Sequence, residues 1–299
     1  MEGACLMKRL VIFAVLCAFA MMNFVGLASD VIFLQNEEET PFAPDADLMK
    51  LYILNVHAAS DAMVLVHDGK TMIIDCGDTG YGTLYVKPLL EELGIDHVDY
   101  CYNTHPHDDH INGFLELFEE FDVDKFYTCF PLSFGAEQTA VMNAAMAHDI
   151  EIVRIDNNSD ISFGCLKIWL YQDPKYITTN IAQANSASMI IHVTYGDSTV
   201  MITGDAEKPV FTDMYRAKGD AIRSDIIKMP HHGYNTPAYD VFRVIAPRYA
   251  VITNSNIERI ESTNQFLINN QCQILYTNWG TVELTTDGTV WTIRQLKNN

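Results

Sequence analysis

The sequence predicts an α/β protein in which two β-sheets are sandwiched between layers of helix. Three observations carry this: short apolar strands come in two groups, helical stretches are interspersed among them, and each sheet has a second apolar face that needs cover. A chain of 299 residues with 48% hydrophobic side chains can bury a core of that size. Motif-bearing segments lie in both halves, so residues 29–299 read as one domain.

At the N-terminus, Lys8 and Arg9 precede an apolar run from Leu10 to Ala20 that continues more weakly to Leu27, with small residues at Gly26 and Ala28. This is the pattern of a secretory signal peptide over residues 1–28, and it implies a secreted or extracytoplasmic protein. If the segment is not cleaved, residues 8–27 are nearly long enough to span a bilayer and would be the one membrane contact.

From Leu51 onward, strands are expected at Leu51–Val56, Ala62–Val66 and Thr71–Asp75, the last two turned by Asp68-Gly69. A helix over Leu84–Leu93, a strand over Val98–Thr104 and a helix from Asn112 to Glu120 follow. Next come a helix over Glu137–His148, a strand over Ser162–Leu170, and a hairpin of Ser188–Tyr195 with Ser198–Thr203 turned by Gly196-Asp197. Strands over Tyr249–Thr253 and Gln273–Thr277 then alternate with helices over Ala238–Ile245 and Ile257–Asn269. A hairpin around Asp287-Gly288 closes the chain.

The formal net charge is −20. Such a surface repels phosphate backbones, which disfavours long nucleic acid as a partner. Five cysteines follow the signal segment: Cys76, Cys101, Cys129, Cys165 and Cys272. An odd number with no C-x-x-C pair argues against a disulfide framework or a structural zinc cluster, and burial as small apolar side chains is expected. Tyr234, Tyr239 and Trp279 are read as core packing, although near-motif aromatics can also hold a cationic group.

The chemistry is carried by histidines. Of ten, five fall in two clusters: His105, His107 and His110, then His231 and His232. His105 and His107, two apart at a strand end, project to one side if the backbone stays extended, so both rings can reach one cation. Asp109 and His110 sit where the chain turns into a helix and aim differently, which makes a second cation plausible. Imidazole with carboxylate suits zinc or a near neighbour such as manganese. Asp205, at a strand end after Gly204, is placed to bridge two ions about 3.5–4 Å apart.

These residues resemble the metallo-β-lactamase superfamily and, within it, the ComEC-type branch of competence proteins and related secreted hydrolases. Asp75 in Ile73-Ile74-Asp75-Cys76-Gly77 matches a structural aspartate supporting the metal loop, and His105, His107, Asp109 and His110 match the central metal motif. Asn185-Ser186-Ala187-Ser188 with Gly204-Asp205, and Lys228-Met229-Pro230-His231-His232-Gly233, match the branch's later motifs.

The resemblance implies a four-layer αβ/βα sandwich with two divalent ions, zinc or manganese, at one edge. His105, His107 and Asp205 would hold one ion; Asp109, His110, Asp205 and His232 the other. His231 would face the substrate as proton donor or phosphate contact, with the choice of ligand between His231 and His232 open. Asn185 stands where the wider superfamily has a third histidine.

The function expected is a metal-dependent hydrolase of phosphoester or phosphodiester bonds in a small-molecule or cell-surface substrate, with a metal-bridging hydroxide as nucleophile. A hydrolase of a lactam, lactone or thioester carbonyl is the alternative within the same chemistry. A metal-binding surface module without catalysis is the alternative outside it.

Overall fold

Strands β2 (Met49–Ile53), β3 (Ala62–His67) and β4 (Lys70–Cys76) set the architecture, because their apolar residues alternate between two destinations. Met49, Leu51, Ile53, Met63, Leu65, Met72 and Ile74 enter one core, whereas Tyr52, Val64 and Ile73 enter another. Successive side chains on a strand point to opposite faces, so a sheet apolar at every position must be covered twice.

In the computed structural model, which describes residues 30–34, 41–43, 46–155 and 159–296, that cover is a second sheet on one side and helices on the other. The segment read as a signal peptide lies outside the described residues. Among the described residues, no helix is long and apolar enough to cross a membrane.

The first sheet has nine strands, in the order β1 (Asp30–Phe33), β16 (Val290–Leu296), β15 (Thr281–Thr286), β2, β3, β4, β5 (His97–Tyr102), β6 (Asp122–Thr128) and β7 (Glu151–Arg154). The second has seven: β14 (Gln273–Tyr276), β13 (Tyr249–Ile252), β12 (Ile226–Lys228), β11 (Ser198–Ile202), β10 (Ile190–Tyr195), β9 (Leu166–Tyr171) and β8 (Asp160–Phe163). Their inner faces meet in one core, in which Leu65 and Trp291 pack with Phe163, Val200 and Val251.

Helices α1 (Lys87–Glu92), α2 (Asp108–Ile111), α3 (Phe114–Glu120) and α4 (Gly135–Ala147) cover the outside of the first sheet through Leu90, Ile111, Phe114 and Val141. Helices α5 (Lys208–Lys218), α6 (Tyr239–Ile245) and α7 (Glu261–Asn269) cover the second through Phe211, Val241 and Leu267. The result is the four-layer sandwich expected from the sequence. Burying each such side chain is worth about 1.5–3 kcal/mol, so truncating one in the inter-sheet core should cost about 2–5 kcal/mol.

Several elements differ from expectation. Ser162–Leu170 is not one strand but the hairpin β8–β9, turned at Gly164-Cys165, where Gly164 has φ +57°. The helix expected from Asn112 to Glu120 is α3, which starts at Phe114, and a separate short helix, α2, precedes it across Asn112-Gly113. Helix α7 is preceded by a 3₁₀ turn (Ile257–Ile260), and α1 by a π-helical turn (Gly82–Val86). Strands β6, β7 and β12 were not foreseen: the first two carry charges along their length, and the last is three residues long with its lysine buried.

Cys76, Cys101, Cys129 and Cys272 are buried as expected and no disulfide joins the described cysteines, but Cys165 is exposed. The core reading of Tyr234, Tyr239 and Trp279 also fails: they are 41%, 59% and 61% exposed. Tyr234 instead flanks His231, with ring centroids 5.4 Å apart, because it follows a turn that points its side chain outward.

Candidate metal centre

Parallel strands of both sheets end at one edge of the sandwich. In the first sheet β4 and β5 lead into Asp75 and into the segment 103–110; in the second β11, β12 and β13 lead into Asp205, His231-His232 and Thr253. Carboxyl ends of parallel strands are where α/β sheets place their ligands, since loops there converge without crossing the sheet.

His107 is extended (φ −78°, ψ 151°) and α2 begins at Asp108, so the chain presents His105 and His107 before the turn and His110 after it. Gly204 (φ +48°) brings the Asp205 turn against this segment; a Cβ there would lie 2.8 Å from the Thr104 hydroxyl oxygen. Asp75, His231 and His232 all have left-handed backbones, with φ of 54°, 52° and 51°. Each such conformation costs about 1–3 kcal/mol, and this clustering at one edge is the distribution expected of a functional site.

Two donor sets form. In the deeper one, His110 Nε2 lies 3.2 Å from Asp205 Oδ1, and His232 Nε2 lies 3.2 Å from Asp109 Oδ2 and 3.6 Å from Asp205 Oδ1. His110 Nε2, His232 Nε2 and Asp205 Oδ1 are buried and have no hydrogen-bond partner among the described residues. Orphaned buried polar atoms cost about 1–3 kcal/mol each. Two ring nitrogens and two carboxylates converging on one point fit a divalent ion, which would satisfy all of them.

In the outer set, His105 Nε2 is 3.1 Å from His107 Nδ1 and 3.7 Å from Asp205 Oδ2. His107 donates from Nε2 to the Ile181 carbonyl at 2.8 Å, which leaves its Nδ1 lone pair facing the site. Thr104 gives its hydroxyl hydrogen to Asp75 (2.6 Å), so its oxygen can accept from His105 Nδ1 (3.3 Å), and His105 Nε2 is free to ligate. The two oxygens of Asp205 thus face different donor sets, the arrangement of a bridging carboxylate. His105, His107, His110, His232, Asp109 and Asp205 are all brought together.

A layer behind the rings fixes them. Asp75 accepts from the Thr104 amide at 2.7 Å and holds His110 Nδ1 at 2.8 Å. Asp61 does the same for His232: its Oδ1 lies 3.2 Å from Nδ1 and accepts the Thr253 hydroxyl at 2.6 Å, while its Oδ2 pairs with the buried Lys228 ammonium. Lys228 also donates to the Gly204 carbonyl at 3.1 Å, tying the His232 support to the Asp205 turn. Sequence reasoning missed Asp61 and Thr253; Asp61 lies 167 residues from Lys228, and nothing local marks the pair.

Electrostatics follow from four carboxylates facing one lysine. Burial alone would lower His110, but Asp205, Asp75 and Asp109 outweigh it and hold the ring well above its usual range. His232, opposed by burial likewise, is lifted to about 9 by Asp205 and Asp61. His105 goes the other way: burial and the charge of His110 hold it well below its usual value. Burial would raise Asp205 and Asp109, yet the neighbouring histidines keep Asp205 well below the carboxylate range and Asp109 at about 2. Asp75 is raised by burial, which His110 only partly offsets.

His231 turns away from the deeper set, and His232 turns into it. The His231 side chain is 34% exposed and its Nε2 lies 3.7 Å from Asp205 Oδ2. Asn235 Nδ2 lies 3.2 Å from His231 Nδ1, and the Nε2 edge of the ring faces the open side of the centre. Asn185 Nδ2 lies 3.5 Å from that Nε2, so side-chain amides flank both ring nitrogens. Asn185 therefore positions His231.

This two-sheet sandwich, with histidines and aspartates converging at one edge, is the metallo-β-lactamase fold. Residues 58–128, from before Asp61 to the end of β6, match the model of the metallo-beta-lactamase superfamily. The uncharacterized protein YcaI of Escherichia coli K12 is 22% identical over 202 residues; the match covers 64% of this chain and spans less than a quarter (23%) of that relative's length.

Among solved structures, the chain is similar to the metallo-beta-lactamase fold protein YhfI from Bacillus subtilis, with TM-score 0.51 and 12% identity over 77% of this chain and 96% of that one. It is also similar to Tm1679, a metal-dependent hydrolase of the beta-lactamase superfamily, with TM-score 0.52 and 12% identity over 76% and 95% of the two chains. The family model thus matches the segment that carries Asp61, Asp75 and the 105–110 histidines, and the solved structures share the fold.

Proposed function

We propose that the protein is a two-metal hydrolase of phosphoester or phosphodiester bonds, of the ComEC-type branch. The observation that carries this is the pair of donor sets sharing Asp205, with orphaned nitrogens in the deeper one. Bound there, two divalent ions, zinc or manganese, would generate the nucleophile from water and polarise the scissile group. Tm1679, a metal-dependent hydrolase of similar fold, supports the same reaction class.

The chain's own residues supply the rest. Asp109, kept ionised, closes the deeper set beside His232 and can orient the attacking water. His231 presents its Nε2 edge on the open side, where the protonated ring donates to a phosphoryl oxygen or to the leaving oxygen. Asn185, in place of a third ring, leaves room beside the outer set for substrate oxygens. The acidic surface suits a small or surface-attached ester better than a polymer. An export segment at residues 8–27 would put that substrate outside the cytoplasm.

The test assays bis-p-nitrophenyl phosphate, p-nitrophenyl phosphorylcholine and nitrocefin, with metal content determined on the same sample. Phosphodiester turnover that falls about a hundredfold or more in His107→Ala, with close to two metals per wild-type chain, supports the proposal. Nitrocefin turnover alone would replace it with the lactam reading, and metal without turnover would leave a binding module.

A further inference from the structure

A second cluster of titratable and nucleophilic groups spans the two sheets at the end remote from the metal centre. His67 ends β3 and pairs with Lys70, at the opposite end of β4 from Asp75. At about 3.3 Å per residue the two sites are roughly 17 Å apart.

His67 is 1% exposed. Its Nε2 lies 3.2 Å from the sulfur of Cys165, which is exposed in the β8–β9 turn. Its Nδ1 lies 3.4 Å from the Leu48 carbonyl and 3.6 Å from Asp47 Oδ1. Both of those oxygens accept, so Nδ1 carries the ring hydrogen and Nε2 presents its lone pair to the thiol.

The Tyr195 ring packs on His67 with centroids 4.9 Å apart, and its hydroxyl donates to the Asp47 carbonyl at 3.0 Å and contacts the Cys165 sulfur. The turn reaches His67 only because residue 164 is glycine: a Cβ there would lie 2.7 Å from His67 Cδ2. Asp47, His67 and Cys165 come within ligand distance of one another. Yet the ring nitrogens point to different partners, one to the carboxylate and one to the thiol. That geometry suits a proton relay better than a single cation, since one ring nitrogen cannot face both the carboxylate and the thiol.

We propose that Cys165 is a reactive-thiol site, primed by His67 and Asp47, that low-molecular-weight disulfides cap by thiol–disulfide exchange. The Cys165 S–H bond breaks and its proton passes to His67 Nε2, while the Asp47 carboxylate stabilises the resulting imidazolium. The thiolate attacks one sulfur of the disulfide, a new S–S bond forms, and the other sulfur leaves as a thiolate. His67 returns the proton to that leaving thiolate, so one thiol and one disulfide are consumed and one of each is made.

The full chain, reduced and then freed of reductant, is treated with oxidised glutathione, and adducts are located by peptide mass spectrometry, which separates Cys165 from Cys5 and Cys17. Expected is capping of Cys165 at least tenfold faster than that of reduced glutathione's own thiol, with Cys76, Cys101, Cys129 and Cys272 unmodified. His67→Gln should slow capping about tenfold and leave metal content unchanged. Should that variant not fold, Asp47→Asn, at a half-exposed carboxylate, carries the test with an expected several-fold loss. Cys165 reacting no faster than glutathione's thiol, or at an unchanged rate in either folded variant, overturns the proposal.

Discussion

The two donor sets share Asp205 and differ in almost everything else. In the deeper set His110 and His232 are buried, and each has its outward ring nitrogen held by a buried carboxylate, Asp75 at 2.8 Å or Asp61 at 3.2 Å. In the outer set His105 leans on the Thr104 hydroxyl and His107 on the backbone carbonyl of Ile181, both of them neutral acceptors. A carboxylate behind an imidazole raises its basicity and fixes its tautomer far more firmly than a neutral acceptor does. On the proposed function, the deeper position would retain its ion and the outer one would admit substrate.

The largest effect should come from the residue common to both. Asp205→Asn is expected to leave at most one metal per chain and to reduce phosphodiester turnover by about 10³-fold or more, near 4 kcal/mol in the barrier; elemental analysis and steady-state rates check both. His107→Ala should empty the outer position alone, taking metal content from two towards one and turnover down by about 10²-fold. Equal loss from both positions would erase the distinction.

Asp61→Asn acts through His232. It should weaken the deeper metal by about 10–100-fold, as outer-layer changes do, and leave the outer one nearly unchanged in a competition with a metal chelator. Changes of pH separate the positions in the same way. His232 is raised from 6.5 to about 9 in the metal-free chain, so an ion must displace its proton. Affinity at the deeper position should therefore climb with pH to at least about 9, by up to about a hundredfold per unit because His110 also has to give up a proton, while the outer one, with His105 already neutral, should change less.

The same shift predicts that His232's contribution to the stability of the metal-free protein is full below about pH 6.5 and is lost as pH rises through about 9. Thermal unfolding across that window reads it. The smallest effect is Asn185→His, which adds a ring beside the outer set and should tighten its ion several-fold while lowering turnover, since His231 loses its partner.

The legible part of this centre is the local part. His105, His107, Asp109 and His110 declare themselves because ligand types repeated at such short spacing converge on a cation far more readily than on anything else, and Asp205 and His231-His232 gain meaning only beside them. Asp61 and Thr253 stay silent because their contacts, to Lys228 and His232, exist only once both sheets have been stacked. The layer order is legible for the same reason that the strands are apolar throughout: each has two faces to bury.

Strands β6 and β7 are not, since alternating charges toward the sheet edge mimic loop composition. Tyr234, Tyr239 and Trp279 mislead because apolar bulk suggests burial, whereas much of a folded surface is itself apolar.

The account is tested most directly by calorimetric titration of zinc into the metal-free full chain, repeated in buffers of different ionisation enthalpy to count released protons. It predicts two binding events per chain of unequal affinity, with more protons released in the tighter one and that event weakened in Asp61→Asn. A single event, or two equal events that Asp61→Asn leaves unchanged, would contradict it.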